Sequence, residues 1–202
     1  GGMTAVYDRE EALKLILDDK VIKSYLVDKL YNRKVIVADQ PGSYYYEDYA
    51  TLFKWFDAAD RVSVVETPMY HYRQRKGSTD HDGDPKKKYH FFLAEKERCS
   101  YLTRNGIFPE LHPAFAAKVV RVGLREIKGI VRKCPPGDLS DHYIKCIKSE
   151  LGAFMPVRIG SLGFFRWIVL KLLFLCPDIY FFIMKISIRD KRKVRNAVNL
   201  YD

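Results

Sequence analysis

Apolar residues recur along most of this chain at the three-to-four spacing of helices, and the breaks between those runs set the element boundaries. The pattern predicts helices at about 9–18 and 20–32, then a loop through Pro41-Gly42-Ser43. A further helix is expected at about 47–59, where Tyr49, Leu52, Phe53 and Phe56 form one stripe and Lys54 and Asp57 fall off it. Asp8 reads as the cap of the first helix, with Glu11 three residues on completing a capping box. Short strands are expected near 62–66 and 69–75, and a charged loop follows. Beyond it a long helix runs from Pro85, capped by Asp84, to Asn105-Gly106. Another extends from about Pro113 to Arg132, where Pro135-Pro136-Gly137 stops it, and a third from Ser140 or Asp141 to about Leu151. Leu93, Leu102, Val119, Val122 and Ile130 are the expected core of this helical part.

The last forty residues follow a different pattern. Phe164 to Met184 is strongly apolar, but Arg166 and Lys171 interrupt it and Pro177-Asp178 breaks it, so neither half has the unbroken run of a spanning helix. A basic cluster follows: Lys185, Arg189, Lys191, Arg192, Lys193 and Arg195. Two short amphipathic helices lying on an anionic lipid surface fit this order, with Trp167, Tyr180 and the cations at the headgroups. Packing of the same helices on the rest of the protein or on a second copy fits it equally. The expected organisation is α+β and mostly helical, in three parts: 1–84, a helical appendage at 85–158, and an amphipathic, basic segment at 159–202.

With 202 residues, 48% of them hydrophobic, the chain can bury a core. The net charge of +10 raises the question of nucleic acid, but the charge sits beside a long apolar run and no helix-turn-helix, zinc-finger or RNA-binding signature is present. Cys99, Cys134, Cys146 and Cys176 have no paired spacing, which reads as reduced thiols in a cytoplasmic protein. No zinc site is expected from the dispersed histidines. Asp80-His81-Asp82-Gly83-Asp84 offers alternating oxygen ligands, but it fails the calcium-loop template: Gly83 is fourth rather than sixth and Phe91 stands at the twelfth position. No metal site is therefore expected.

Glu47 and Asp48 open the third predicted helix directly after Tyr44-Tyr45-Tyr46. The positive end of a helix suits carboxylates, so acidic residues in a first turn are common without any chemistry. Their surroundings bear on the choice. Upstream lies Tyr25-Leu26-Val27-Asp28-Lys29-Leu30-Tyr31-Asn32-Arg33, and downstream Pro68-Met69-Tyr70-His71-Tyr72-Arg73-Gln74-Arg75-Lys76-Gly77-Ser78-Thr79. In order and spacing, these segments resemble the second half of the catalytic domain of inverting, GT-A type family 2 glycosyltransferases, the bacterial group that builds surface polysaccharides. The resemblance covers roughly residues 7 to 80.

That resemblance implies that Asp48 is the catalytic base, with Glu47 its neighbour, and that Lys29, Tyr31, Tyr72, Arg73 and Arg75 line the acceptor or the donor diphosphate. It implies a nucleotide-sugar donor, a saccharide or lipid-linked acceptor, and Mg or Mn for the complete enzyme. The nucleotide-binding half with its Asp-x-Asp pair has no counterpart here, and Gly1-Gly2 reads as a cloning scar. The expectation is a C-terminal, acceptor-side portion with a short β-hairpin, inactive alone and peripheral on the inner face of the cytoplasmic membrane. The competing expectation is a non-catalytic helical membrane-surface or assembly module in which Glu47 and Asp48 are structural.

Overall fold

The computed structural model describes residues 4–40, 42, 45–71, 73, 83–155 and 157–186. It divides into two compact units, Gly1–Asp80 and His81–Asp202. The whole is mostly helical, with one two-stranded antiparallel sheet among the described residues.

The first unit runs β1 (Thr4–Asp8), α1 (Arg9–Asp18), a 3-10 turn at Arg33–Val35, α2 (Glu47–Asp57) and β2 (Arg61–Val65). At the entry to α1 the expected capping box is formed: the Glu11 amide donates to Asp8 Oδ1 at 2.8 Å and the Asp8 amide donates to Glu11 Oε2 at 3.3 Å. Ala12, Leu13 and Ile16 of α1 are buried, as are Ala50, Leu52, Phe53, Trp55 and Phe56 of α2, and the two helices pack together. Arg9 fastens the start of α1 to the end of α2, donating from Nε to Asp57 O at 2.8 Å and from Nη2 to Asp57 Oδ1 at 2.5 Å.

Two expectations are corrected here. Among the described residues no hairpin joins 62–66 to 69–75: β2 pairs antiparallel with β1, from Thr4 opposite Val65 to Asp8 opposite Arg61, and residues 69–71 and 73 lie in no strand. The helix over 20–32 is also absent, replaced by bends and turns. Asp19, at φ 55°, ends α1 in the left-handed region, and its carboxylate accepts from the Ser24 amide and hydroxyl, both at 2.7 Å. Such side-chain bonds compete with helical ones. Val21, Tyr25, Val27 and Leu30 are all exposed, so no buried stripe exists to hold a helix there.

The second unit contains α3 (Pro85–Arg104), α4 (His112–Lys133), α5 (Asp138–Leu151), α6 (Ile159–Leu162) and α7 (Phe164–Leu175), followed by helical residues 177–186. Asp84 caps α3 through the Lys86 amide at 2.8 Å, and Gly106, at φ 63°, closes it while the Ile107 amide reaches Leu102 O at 2.9 Å. One core joins Phe92, Leu102, Val119, Ile127, Ile130, Ile147 and Leu151 to Leu162, Leu170, Leu173 and Tyr180. The segment from 159 thus shares the core of α3–α5. Phe92 takes the fully buried place expected of Leu93, which packs at the margin.

The buried carboxylates Glu95 and Glu126 of this unit are paired with cations, as their desolvation demands. Lys118 Nζ lies 3.0 Å from Glu95 Oε1, and Glu126 meets Arg125 at 2.7 Å and Lys88 at 3.8 Å. Burial, aided by the positive charge of Lys86 and opposed by Asp84, pushes His90 below the ordinary imidazole value. The unfolded chain then takes up a proton near pH ~6.5 that the folded chain refuses. Stability is therefore full above that pH and falls as pH drops through it, levelling off once the folded imidazole also titrates. Thermal melts across this range should show the decline, and His90→Gln should flatten it; an unchanged slope in the variant would assign the effect to other groups.

Candidate functional site

The main chain enters α2 through Tyr46, a non-glycine residue in the left-handed region at φ 65°. The Ala50 amide bonds back to Tyr46 O at 3.0 Å, and no side chain caps the helix. Glu47 and Asp48 therefore occupy the first turn as predicted, both half-buried, where the helix dipole is positive. Asp48 Oδ1 accepts from the Tyr49 amide at 2.7 Å.

The loop between α1 and α2 brings Tyr31 to this helix. Its ring meets Trp55 edge-on, with centroids 5.1 Å apart and planes at 81°. Trp55 stands seven residues after Asp48, two helical turns along the same face of α2, and its Nε1 donates to Ala38 O at 3.0 Å. The Tyr31 hydroxyl donates to Leu26 O at 3.1 Å. Its pKa is raised far above the ordinary phenol value, first by burial, then by the negative charges of Asp28 and Asp48. Tyr31 thus packs on Trp55 and lies within electrostatic reach of Asp28 and, more weakly, of Asp48.

Lys29 belongs to the scaffold of that neighbourhood. Its ammonium donates to Lys23 O and Tyr25 O, both at 2.7 Å, and to Asp28 Oδ1 at 2.5 Å, which uses its three N–H groups within the loop. It replaces, for those carbonyls, the helical bonds that 20–32 does not make. Lys29→Met should loosen the loop: amide hydrogen exchange over 20–31 should accelerate while α3–α5 is unaffected, and unaltered exchange would show the three bonds to be dispensable.

Of the predicted site residues, Tyr31 lies within electrostatic reach of Asp48, the predicted base, and Lys29 pairs with Asp28, whose charge also reaches Tyr31. Arg73 is exposed and lies in no strand. Tyr72 and Arg75 lie outside the described residues. Sequence reasoning passed over Asp28 and Trp55; the seven-residue spacing from Asp48 was the available signal for Trp55, while nothing local marked Asp28.

Among the described residues no group of three or more His, Cys, Asp or Glu side chains could hold a metal ion. Comparison with known proteins finds no family model that matches the chain, and no similar curated protein or solved structure.

Proposed function

We propose that this chain is the acceptor side of an inverting, sugar-nucleotide-dependent glycosyltransferase of the GT-A, family 2 type, with Asp48 as the base. The arrangement that carries this reading is Asp48 in the first turn of α2, on the same face as Trp55, against whose ring Tyr31 packs. The half-buried Tyr31 ring, backed by the buried Trp55, can offer an apolar surface to a pyranose, and a neighbouring carboxylate can take the proton of a hydroxyl held there. In the proposed step that proton passes to Asp48 as the acceptor oxygen bonds to the anomeric carbon. The bond from that carbon to the diphosphate breaks with inversion, and the leaving group departs with its electron pair. Arg73, with Tyr72 and Arg75, is assigned to the diphosphate side, where guanidinium suits phosphate; Glu47 supports Asp48.

Two further features support an origin in a larger catalytic domain. Among the described residues the sheet has two strands, which is marginal in water, and Val6, Val65, Ile36 and Val37 remain exposed around it and in the loop. The donor half, with its divalent ion, would be the remaining part of such a domain. Cys99, Cys134, Cys146 and Cys176 form no disulfide, which agrees with action in a reducing cytoplasm. The test is transfer by an enzyme that joins this chain to a donor-binding half, comparing Asp48→Asn with Glu47→Gln. Loss confined to the first supports the assignment, and undiminished transfer by Asp48→Asn overturns it.

A further inference from the structure

Among the described residues no helix is long and apolar enough to cross a membrane. The helices at 164–175 and 177–186 nevertheless carry two apolar faces each. One face enters the core of the second unit through Leu170, Leu173 and Tyr180, with Trp167, Phe174 and Met184 packed at its edge. The other points to solvent. On 177–186 it consists of Ile179, Phe182, Ile183 and Ile186, at i, i+3, i+4 and i+7, so the exposed residues make a continuous stripe rather than scattered side chains. On α7 the exposed side chains include Phe165, 81% accessible, and Leu175, 74% accessible. A helix apolar on both sides buries one side in its own protein and leaves the other for something else.

Charge identifies the occupant. Arg166 and Lys185 are exposed beside these stripes, and Lys171 lies over the Trp167 ring at 5.4 Å, its ammonium at the helix surface. From 185 to 195 the sequence holds six cations, Lys185, Arg189, Lys191, Arg192, Lys193 and Arg195, against one acid, Asp190. Within 164–186 the only acid is Asp178. A second copy would bring the same cations against themselves, whereas an anionic bilayer supplies both an apolar layer for the stripe and phosphate for the cations.

We infer that the outward apolar side chains of residues 164–186, with the cations that follow them in the sequence, seat this protein on an anionic lipid surface without crossing it. The first face is already committed to the core, so the protein folds before it docks, and docking needs no rearrangement of the helices. This inference is independent of the chemistry assigned to Asp48.

The experiment is co-sedimentation of the whole chain with phosphatidylcholine vesicles, with and without about one-third phosphatidylglycerol. The chain should bind the anionic vesicles, bind the neutral ones far more weakly, and be released from the former at ~0.5 M salt. Ile179→Ser combined with Phe182→Ser, both at solvent-facing positions, should weaken binding by about tenfold or more with unchanged circular dichroism. Should that pair disturb folding, Lys191→Gln, Arg192→Gln and Lys193→Gln together should give a comparable loss on anionic vesicles only. Absence of binding by the wild type, equal binding to both vesicles, or wild-type binding by these variants overturns the inference. Conversion of a dimer to a monomer by Ile179→Ser and Phe182→Ser, with vesicle binding intact, would assign the stripe to a second copy and overturn it as well.

Discussion

Asp48→Asn is expected to lower kcat for sugar transfer by about 10²–10⁴-fold in an enzyme completed with a donor-binding half, the usual worth of a positioned base. Asparagine keeps the shape of aspartate and its carbonyl can still accept from the Tyr49 amide, now 2.7 Å from Asp48 Oδ1, so the first turn of α2 should survive. What it cannot do is take a proton. Because Tyr31 and Trp55 remain in place, the acceptor KM should change little, and the loss should appear almost wholly in kcat. The acid limb of the kcat–pH profile should disappear with it.

Two comparisons separate chemistry from scaffolding. Tyr31→Phe keeps the ring against Trp55 and removes the bond to Leu26 O, so it should cost about 0.5–1.5 kcal/mol of stability without abolishing the pH dependence. Glu47→Gln should cost far less activity than Asp48→Asn. The reverse order would move the base to Glu47, and equal small effects would return both acids to a structural role at the helix start.

Leu151→Ala is expected to destabilise the second unit by about 2–5 kcal/mol, because the side chain is fully buried and its loss leaves a cavity between helices. The neighbour that makes this substitution informative is Gly123 on α4. A Cβ built at Gly123 would stand 2.8 Å from Leu151 Cδ2 and 3.0 Å from Cδ1, closer than packed carbons tolerate. In the wild-type background the crowding of Gly123→Ala offsets the roughly 1 kcal/mol that alanine gains over glycine inside a helix. With Leu151 shortened the crowding is gone, and the added methyl fills part of the cavity. Gly123→Ala should therefore stabilise the Leu151→Ala protein by about 1 kcal/mol or more while giving no such gain to the wild type. Urea unfolding of the four proteins of this cycle measures the coupling. Additive effects would mean that α4 and α5 relax apart at little cost, contrary to a core packed at crystal-like density.

The helices from Pro85 onward were readable because their signals are local. Asp84-Pro85 starts one, Asn105-Gly106 ends it, and the apolar period between supplies Leu102 at the expected face. The Asp8–Glu11 capping box was likewise visible, since both partners lie within one turn. β1 was not readable: five residues with alternate half-burial carry too little pattern, and their partner, β2, is distant in the chain. The candidate site divides in the same way. The placement of Glu47 and Asp48 at a helix start follows from their own neighbours, whereas the meeting of Tyr31 with Trp55 depends on a path taken by the intervening loop.

The sequence by itself determined where most helices of this protein begin and end, because caps, breakers and apolar spacing act over three or four residues. Only the tertiary structure decided that 20–32 is a loop, that β2 pairs with β1, and that Lys29 spends its ammonium on backbone carbonyls. Each of those outcomes turns on whether an apolar face or a backbone group finds a partner far along the chain. Local propensity carries no record of such partners, so a helix-like period over Val21 to Leu30 could not outweigh the absence of anything to bury it.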